Sequence, residues 1–235
     1  MIVGLISMSF DASFTLNTIL PLAQTAYDLK FLPHGWEVVG KLEPSDFGYL
    51  LKNETAFGGL QTVLCIAFRG TEHEQEWLKD FDAVPVPALY GSPGHVHRGI
   101  QNQYSLIHTS LWTIFNSFGQ FDELLVEGHS LGGGLAQLCA REMAKFKPRV
   151  WTFESPRVFW VDAASEFDQL ITEYWRIEND AHDIVCHLPT TSALYRSVGT
   201  GIVIDGGFTS DAHVAHALDP SVRLGLQRLI DRSAK

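Results

Sequence analysis

The segment Leu124-Leu125-Val126-Glu127-Gly128-His129-Ser130-Leu131-Gly132-Gly133 passes from a strand pattern into a helical one with no loop between them. Leu124 to Glu127 reads as an apolar strand. Gly134 to Phe146 carries Leu135, Leu138, Cys139, Met143 and Phe146 on the helical period. A chain that turns so abruptly needs glycine on both sides of the turning residue, because a side chain at either flank would collide with the adjoining strand and helix. The residue pushed out by the turn is Ser130, so Gly128-x-Ser130-x-Gly132 predicts a serine nucleophile presented at the end of a sheet strand.

Strands and helices alternate around this element. Trp36 to Leu42, Phe47 to Lys52 and Gln61 to Phe68 are rich in β-branched and aromatic residues and are separated by Pro44-Ser45-Asp46 and Gly58-Gly59, which predicts strands. Gly99 to Phe118 reads as a long helix, and Arg149 to Phe153 and Glu173 to Ile177 as strands flanking a helix over Asp162 to Ile171. Val198 to Ile204 adds a strand and Ser221 to Asp231 a terminal helix. Pro21 fits the first turn of a helix running through Tyr27 toward Lys30. Glu72 to Phe81 fits a short amphipathic helix with Trp77, Leu78 and Phe81 on one side. Strand-helix-strand alternation implies parallel pairing with helical crossovers. The expected fold is therefore α/β, with a mostly parallel central sheet flanked by helices, and without a repeat or linker all 235 residues are expected to form one domain.

Charge and hydropathy exclude several functions. Lys and Arg number 17 against 27 Asp and Glu, and the resulting formal charge of −10 repels phosphate, which argues against nucleic acid as a partner. No apolar run reaches the roughly 18 residues of a membrane span, so contact with a lipid interface is expected to be peripheral. Met1 to Phe10 is apolar, but the first basic residue is Lys30, so no secretory leader is expected. The expected location is the cytoplasm, or outside the cell by a route without such a leader. Cys65, Cys139 and Cys186 have no metal-ligand spacing, and an odd number cannot close a disulfide framework.

A serine at its ordinary pKa needs a general base, and the base needs an acid to fix its tautomer. Downstream of Ser130, Asp183 follows the strand ending at Ile177 and falls at the carboxyl edge of a parallel sheet, with Asp180 and Glu178 as competitors. His182 and His187 flank Asp183 too closely to face it easily. That leaves His213 and His216 as candidates for the base. Metal ligation by His95 and His97, or by His182, Asp183 and His187, lacks a complete ligand set, and no metal is expected.

Six segments together resemble the class 3 lipases, an α/β-hydrolase family of fungal triacylglycerol lipases, feruloyl esterases and plant phospholipases. They are 67–71 (Ala-Phe-Arg-Gly-Thr), 77–81 (Trp-Leu-Lys-Asp-Phe), 96–99 (Val-His-Arg-Gly), 127–133 around Ser130, 152–158 (Thr-Phe-Glu-Ser-Pro-Arg-Val) and 183–189 (Asp-Ile-Val-Cys-His-Leu-Pro). The resemblance implies an α/β-hydrolase fold and a serine ester hydrolase with Ser130 as nucleophile, Asp183 as acid and His216, whose local pattern fits better than that of His213, as base. It implies oxyanion donors at Thr71 and Leu131, no cofactor, and an ester or lipid substrate. It also implies a lid over 72–81, although the charges Glu72, Glu74, Glu76, Lys79, Asp80 and Asp82 make that segment polar for a lipid-sensing lid. Glu154 departs from the glycine the family usually has there, and Cys186 from its usual proline. A phospholipase, a feruloyl-type esterase and a non-catalytic binding module of the same fold are the competing readings.

Overall fold

The computed structural model describes residues 9–44, 46–55, 61–71, 82–179, 183–190, 194–207, 209 and 211–234. The segment 72–81, expected as a lid-like helix, lies outside the described residues, as do Asp180, His182 and most of the apolar stretch 1–10.

The chain opens with a helical run, α1, made of Ala12–Phe14, Thr15–Ile19 and Leu20–Thr25 in succession. It starts at Ala12, where the Asp11 carboxylate accepts the Phe14 N–H at 2.9 Å, and not at Pro21 as the proline rule predicts. Pro21 sits inside the run, just after the wide π-type turns of Thr15–Ile19, where the Leu20 N–H reaches back to the Thr15 carbonyl. Burial of Leu16, Ile19, Leu20, Leu22 and Ala23 offsets the bond that the proline cannot donate.

Seven strands form the central sheet in the order β1 (Glu37–Lys41), β2 (Gly48–Asn53), β3 (Val63–Phe68), β6 (Glu123–His129), β7 (Arg149–Phe153), β9 (Tyr174–Glu178) and β11 (Thr200–Val203). β1, β2 and β3 pair antiparallel; from β3 through β11 every pairing is parallel. Both faces of the parallel part are covered, which explains why β3 reads as an unbroken apolar run instead of an alternating one. Leu64, Ile66 and Phe68 point into one core, beneath α2 (Arg98–Ser117), α3 (Leu131–Glu142) and α4 (Val161–Leu170). Val63, Cys65 and Ala67 point into the other, under α1 and the last helices. Of these, α5 (Ala212–His216) carries a candidate base, and α6 (Arg223–Ser233) follows the turn Leu218–Val222.

A second, antiparallel sheet was not expected from the sequence. It joins β4 (Pro85–Pro87), β5 (His95–His97), β8 (Phe159–Trp160) and β10 (Tyr195–Arg196). Strands this short carry no readable alternation. Among the described residues no helix is long and apolar enough to cross a membrane.

Because the central strands run parallel, their carboxyl ends share one edge. Gly70 and Thr71 follow β3, Ser130 follows β6, Glu154 follows β7, and Asn179 and Asp183 follow β9. Sites in open α/β sheets form at this edge.

Candidate active site

At the end of β6 the chain turns on Ser130, whose backbone adopts φ 57° and ψ −129°, a conformation costly for any residue but glycine. Two hydrogen bonds hold it there: the Ser130 N–H donates to the Phe153 carbonyl at 2.9 Å, and the Gly133 N–H donates to the Ser130 carbonyl at 2.9 Å. A Cβ on Gly128 would lie 2.2 Å from the Gly132 carbonyl oxygen, and one on Gly132 would lie 2.4 Å from the Phe68 carbonyl oxygen. Both contacts are to backbone, which cannot yield as a side-chain tip can. Gly132→Ala is accordingly expected to destabilise the fold by about 2 kcal/mol or more, a fall of at least about 5 °C in thermal midpoint. An unchanged melting curve would refute this account of the turn.

The Ser130 hydroxyl is buried and makes no hydrogen bond to a described residue. β3 ends against it, since a Cβ on Gly70 would come within 2.8 Å of the Ser130 Cβ, and Thr71 is the next residue. Leu131, the first residue of α3, is buried directly after the serine.

His216 Nδ1 donates to Asp183 Oδ2 at 2.6 Å, and both side chains are buried. The neutral imidazole therefore carries its proton on Nδ1 and its lone pair on Nε2. The other Asp183 oxygen accepts the Val185 N–H at 2.9 Å. Burial pushes the Asp183 carboxyl up, but the His216 contact, with help from Glu154 and Val185, outweighs it and holds the pKa below the ordinary value. The rings of His129 and His216 lie 4.7 Å apart, which sets His216 alongside the elbow.

The remaining candidates fall elsewhere. Glu178 pairs with Arg176 beside it. The His187 carbonyl accepts a bond from Arg157 at 3.1 Å. His213 shares α5 with His216, but its side chain lies outside the described residues. His95 contacts Asp162 at 2.6 Å, whereas buried His97 caps α2 by accepting the Ile100 N–H at 3.3 Å. Burial lowers the His97 pKa to about 4, so it stays neutral there. All three cysteines are buried.

Three supporting residues escaped sequence reasoning. His129 Nε2 lies 2.8 Å from the His216 carbonyl, which can only accept, so Nε2 carries the proton. Burial drives the His129 pKa down to about 3, which keeps the ring neutral and leaves Nδ1 an acceptor. Tyr27 O–H then donates to Nδ1 at 2.6 Å, and its oxygen accepts the Gly70 N–H at 2.8 Å. The third is Asn179. Its carbonyl accepts the Asp183 N–H at 3.0 Å, while its side-chain amide donates to the Ala215 carbonyl at 3.2 Å and the Ser221 hydroxyl at 3.0 Å. It thus joins the loop of Asp183 to the segment of His216. His129 sits inside the elbow motif and could have been suspected there; Tyr27 and Asn179 give no local signal.

A serine on a strand-to-helix elbow, with a buried His–Asp pair set at the same edge of a parallel sheet, is the arrangement of a serine hydrolase. The model of the family described as Lipase (class 3) matches residues 65–193, more than half of the chain. The chain belongs to the class 3 lipases. A lipase of Rhizomucor miehei is 31% identical over 144 residues, covering 57% of this chain and 39% of the relative. A phospholipase A1 of Oryza sativa subsp. japonica is 29% identical over 185 residues, covering 61% and 44%. The chain thus spans about two fifths of the length of the relatives it matches. The native Rhizomucor miehei lipase propeptide complex superposes with a TM-score of 0.71 at 22% identity, covering 93% of this chain and 80% of that one. The Lip2 lipase of Yarrowia lipolytica gives 0.66 at 18% identity, covering 84% and 80%. At these identities the superpositions establish the fold: this class 3 lipase chain has the α/β-hydrolase architecture, as expected.

Proposed function

We propose that this chain hydrolyses carboxylic esters through a serine nucleophile and that its substrates are acyl lipids or glycerides. The observation that carries the reading is the buried 2.6 Å bond from His216 Nδ1 to Asp183, with the His216 ring 4.7 Å from that of His129, the residue before the elbow serine. In the proposed cycle Ser130 Oγ attacks the ester carbonyl while His216 Nε2 takes the hydroxyl proton, and Asp183 stabilises the imidazolium without itself being protonated. The carbonyl electron pair moves onto oxygen, where the backbone N–H groups of Leu131 and Thr71 are the proposed donors. Collapse breaks the ester C–O bond, His216 protonates the departing alcohol, and an acyl group remains on Ser130. Water then repeats the sequence and frees the acid. The ester, water and these residues carry every proton and electron pair.

A lipid-derived ester is supported by the names of the relatives, lipases and a phospholipase A1, and by a cavity of about 300 Å³ next to the base. Tyr27, Phe31, His129, Ala217 and Leu218 line it, with Gln24 and Asp219 at hand for a polar group. This apolar lining suits a hydrocarbon part of the substrate. The test is hydrolysis of p-nitrophenyl esters from two to sixteen carbons, below and above their solubility limits, with Ser130→Ala as the blank. The expected outcome is serine-dependent turnover that rises toward medium or long chains. Turnover confined to acetate would reject the lipid substrate. Turnover equal to the blank throughout, with no labelling of Ser130 by a fluorophosphonate, would reject the enzyme.

A further inference from the structure

Glu154 occupies the first position after β7 with φ +49°, a conformation that glycine adopts far more readily. Its side chain is completely buried. Oε1 accepts the Asn179 N–H at 2.9 Å. The other oxygen, Oε2, is buried and receives no N–H or O–H of a described residue. A carboxyl oxygen of Glu154, one of Asp183 and the Cys186 sulfur lie within 4.8 Å of one another. Ionised carboxylates only accept, so two buried carboxyl groups this close attract each other only when one of them holds a proton to donate.

The surroundings decide which carboxyl holds it. From β9 the site faces Glu178, which is paired with Arg176. The segment 183–187 contributes Cys186, whose thiol donates to the Asp183 carbonyl at 3.1 Å. From α5 comes His216, bonded to Asp183, and from β6 comes the neutral His129. Asp183 therefore has two donors that favour its charge, Val185 N–H and His216. Glu154 has one, the Asn179 N–H, and lies deeper. Burial, then the contact with Asp183, pushes the Glu154 pKa well above the carboxylate range, while that of Asp183 is lowered.

We infer that Glu154 is a positioning residue that acts through the Asp183–His216 pair: a neutral carboxylic acid whose O–H donates to the Asp183 carboxylate. Two consequences follow. The acid holds the Asp183 carboxylate in register with the imidazole, and by drawing charge from it, lowers the basicity of His216. The site then keeps a usable base at lower pH than an undamped pair would. Resting on the hydrolase reading for its catalytic part, the inference has a structural part that is measurable without turnover.

The experiment compares wild type, Glu154→Gln and Glu154→Gly. Infrared spectra at pH 8 test the proton directly: beyond the absorption of buried Glu127, whose pKa burial also raises and which all three proteins share, wild type is expected to show a carboxylic-acid C=O band that both variants lack. Thermal midpoints from pH 5 to 8 test the same proton by linkage. A carboxyl whose pKa is raised on folding loses stability as pH climbs from its unfolded value, 4.5, toward the folded one, because only the unfolded chain ionises. The midpoint of Glu154→Gln relative to wild type is therefore expected to rise steadily over that range. The rate profile tests positioning. Glutamine keeps an N–H donor for Asp183, so the acid limb of kcat/KM is expected to stay within about 0.3 pH units of wild type, with a rate loss below about fivefold. Glycine removes the donor, and the limb is expected to move up by about one unit, with a loss of about tenfold or more.

Absence of the band in wild type, or a midpoint difference flat with pH, overturns the neutral acid. A band that disappears on adding zinc chloride would mean a cation site and also overturns it. A glutamine variant as displaced in its acid limb as the glycine variant overturns the positioning role. An inactive wild type that retains the band would sink the hydrolase reading while leaving the protonated Glu154 established.

Discussion

Ser130→Ala is expected to reduce kcat for a p-nitrophenyl ester by about 10⁵- to 10⁶-fold, the scale seen when one member of a triad that acts as a unit is removed. The same change is expected to leave the fold intact. The deleted hydroxyl makes no hydrogen bond to a described residue, and the strained backbone of the turn is held by the Phe153 and Gly133 bonds, which alanine preserves. The stability cost should stay below about 1 kcal/mol. Single-turnover assays beside a melting curve separate the two effects. Retained hydrolysis would place the nucleophile elsewhere, and a collapsed midpoint would show that the serine is structural.

Asp183→Asn carries the second large effect, a fall of about 10⁴-fold in kcat. The amide that replaces Oδ2 can present an N–H to His216 Nδ1 at the 2.6 Å contact, which drives the imidazole proton to Nε2, the nitrogen that accepts from the serine in the proposed cycle. The pH response has a definite sign. The pKa of Asp183 is held below its unfolded value of 3.8, so the stability it contributes is present above that value and is lost as pH falls through the folded pKa. The acid-side fall in wild-type midpoint should therefore be shallower in the variant. A variant within tenfold of the wild-type rate would mean that another acid, with Asp180 the nearest in sequence, orients the base.

What could be read from the sequence follows the range of each interaction. The elbow is local: strand, glycine, serine, glycine and helix lie within one stretch of chain, and the turn at Ser130 has the geometry those residues demand. The His216–Asp183 contact spans 33 residues, so sequence could narrow the acid and the base to a few candidates but could not pair them. Tyr27 and His129 meet across 102 residues, and no spacing rule reaches that far. Pro21 misled because burial on both sides of α1 outweighed a local rule about where prolines sit. Glu154 stood out as a departure from the glycine of the resembled family, yet its significance lay in a partner 29 positions away.

The hydrogen-bonded line from Gly70 through Tyr27 and His129 to the His216 carbonyl has a consequence for proton traffic. Each proton in it has one acceptor, and reversing the line would require a carbonyl to donate. With the His129 pKa near 3, that ring does not titrate in the range where an ester hydrolase works. The line is an electrical insulator laid beside the groups that exchange protons in the proposed cycle. His129 is thereby disqualified as a rival base although its ring lies beside that of His216. In the proposed cycle the proton leaving Ser130 therefore goes to His216, and the ring that declines it belongs to the residue next to the serine.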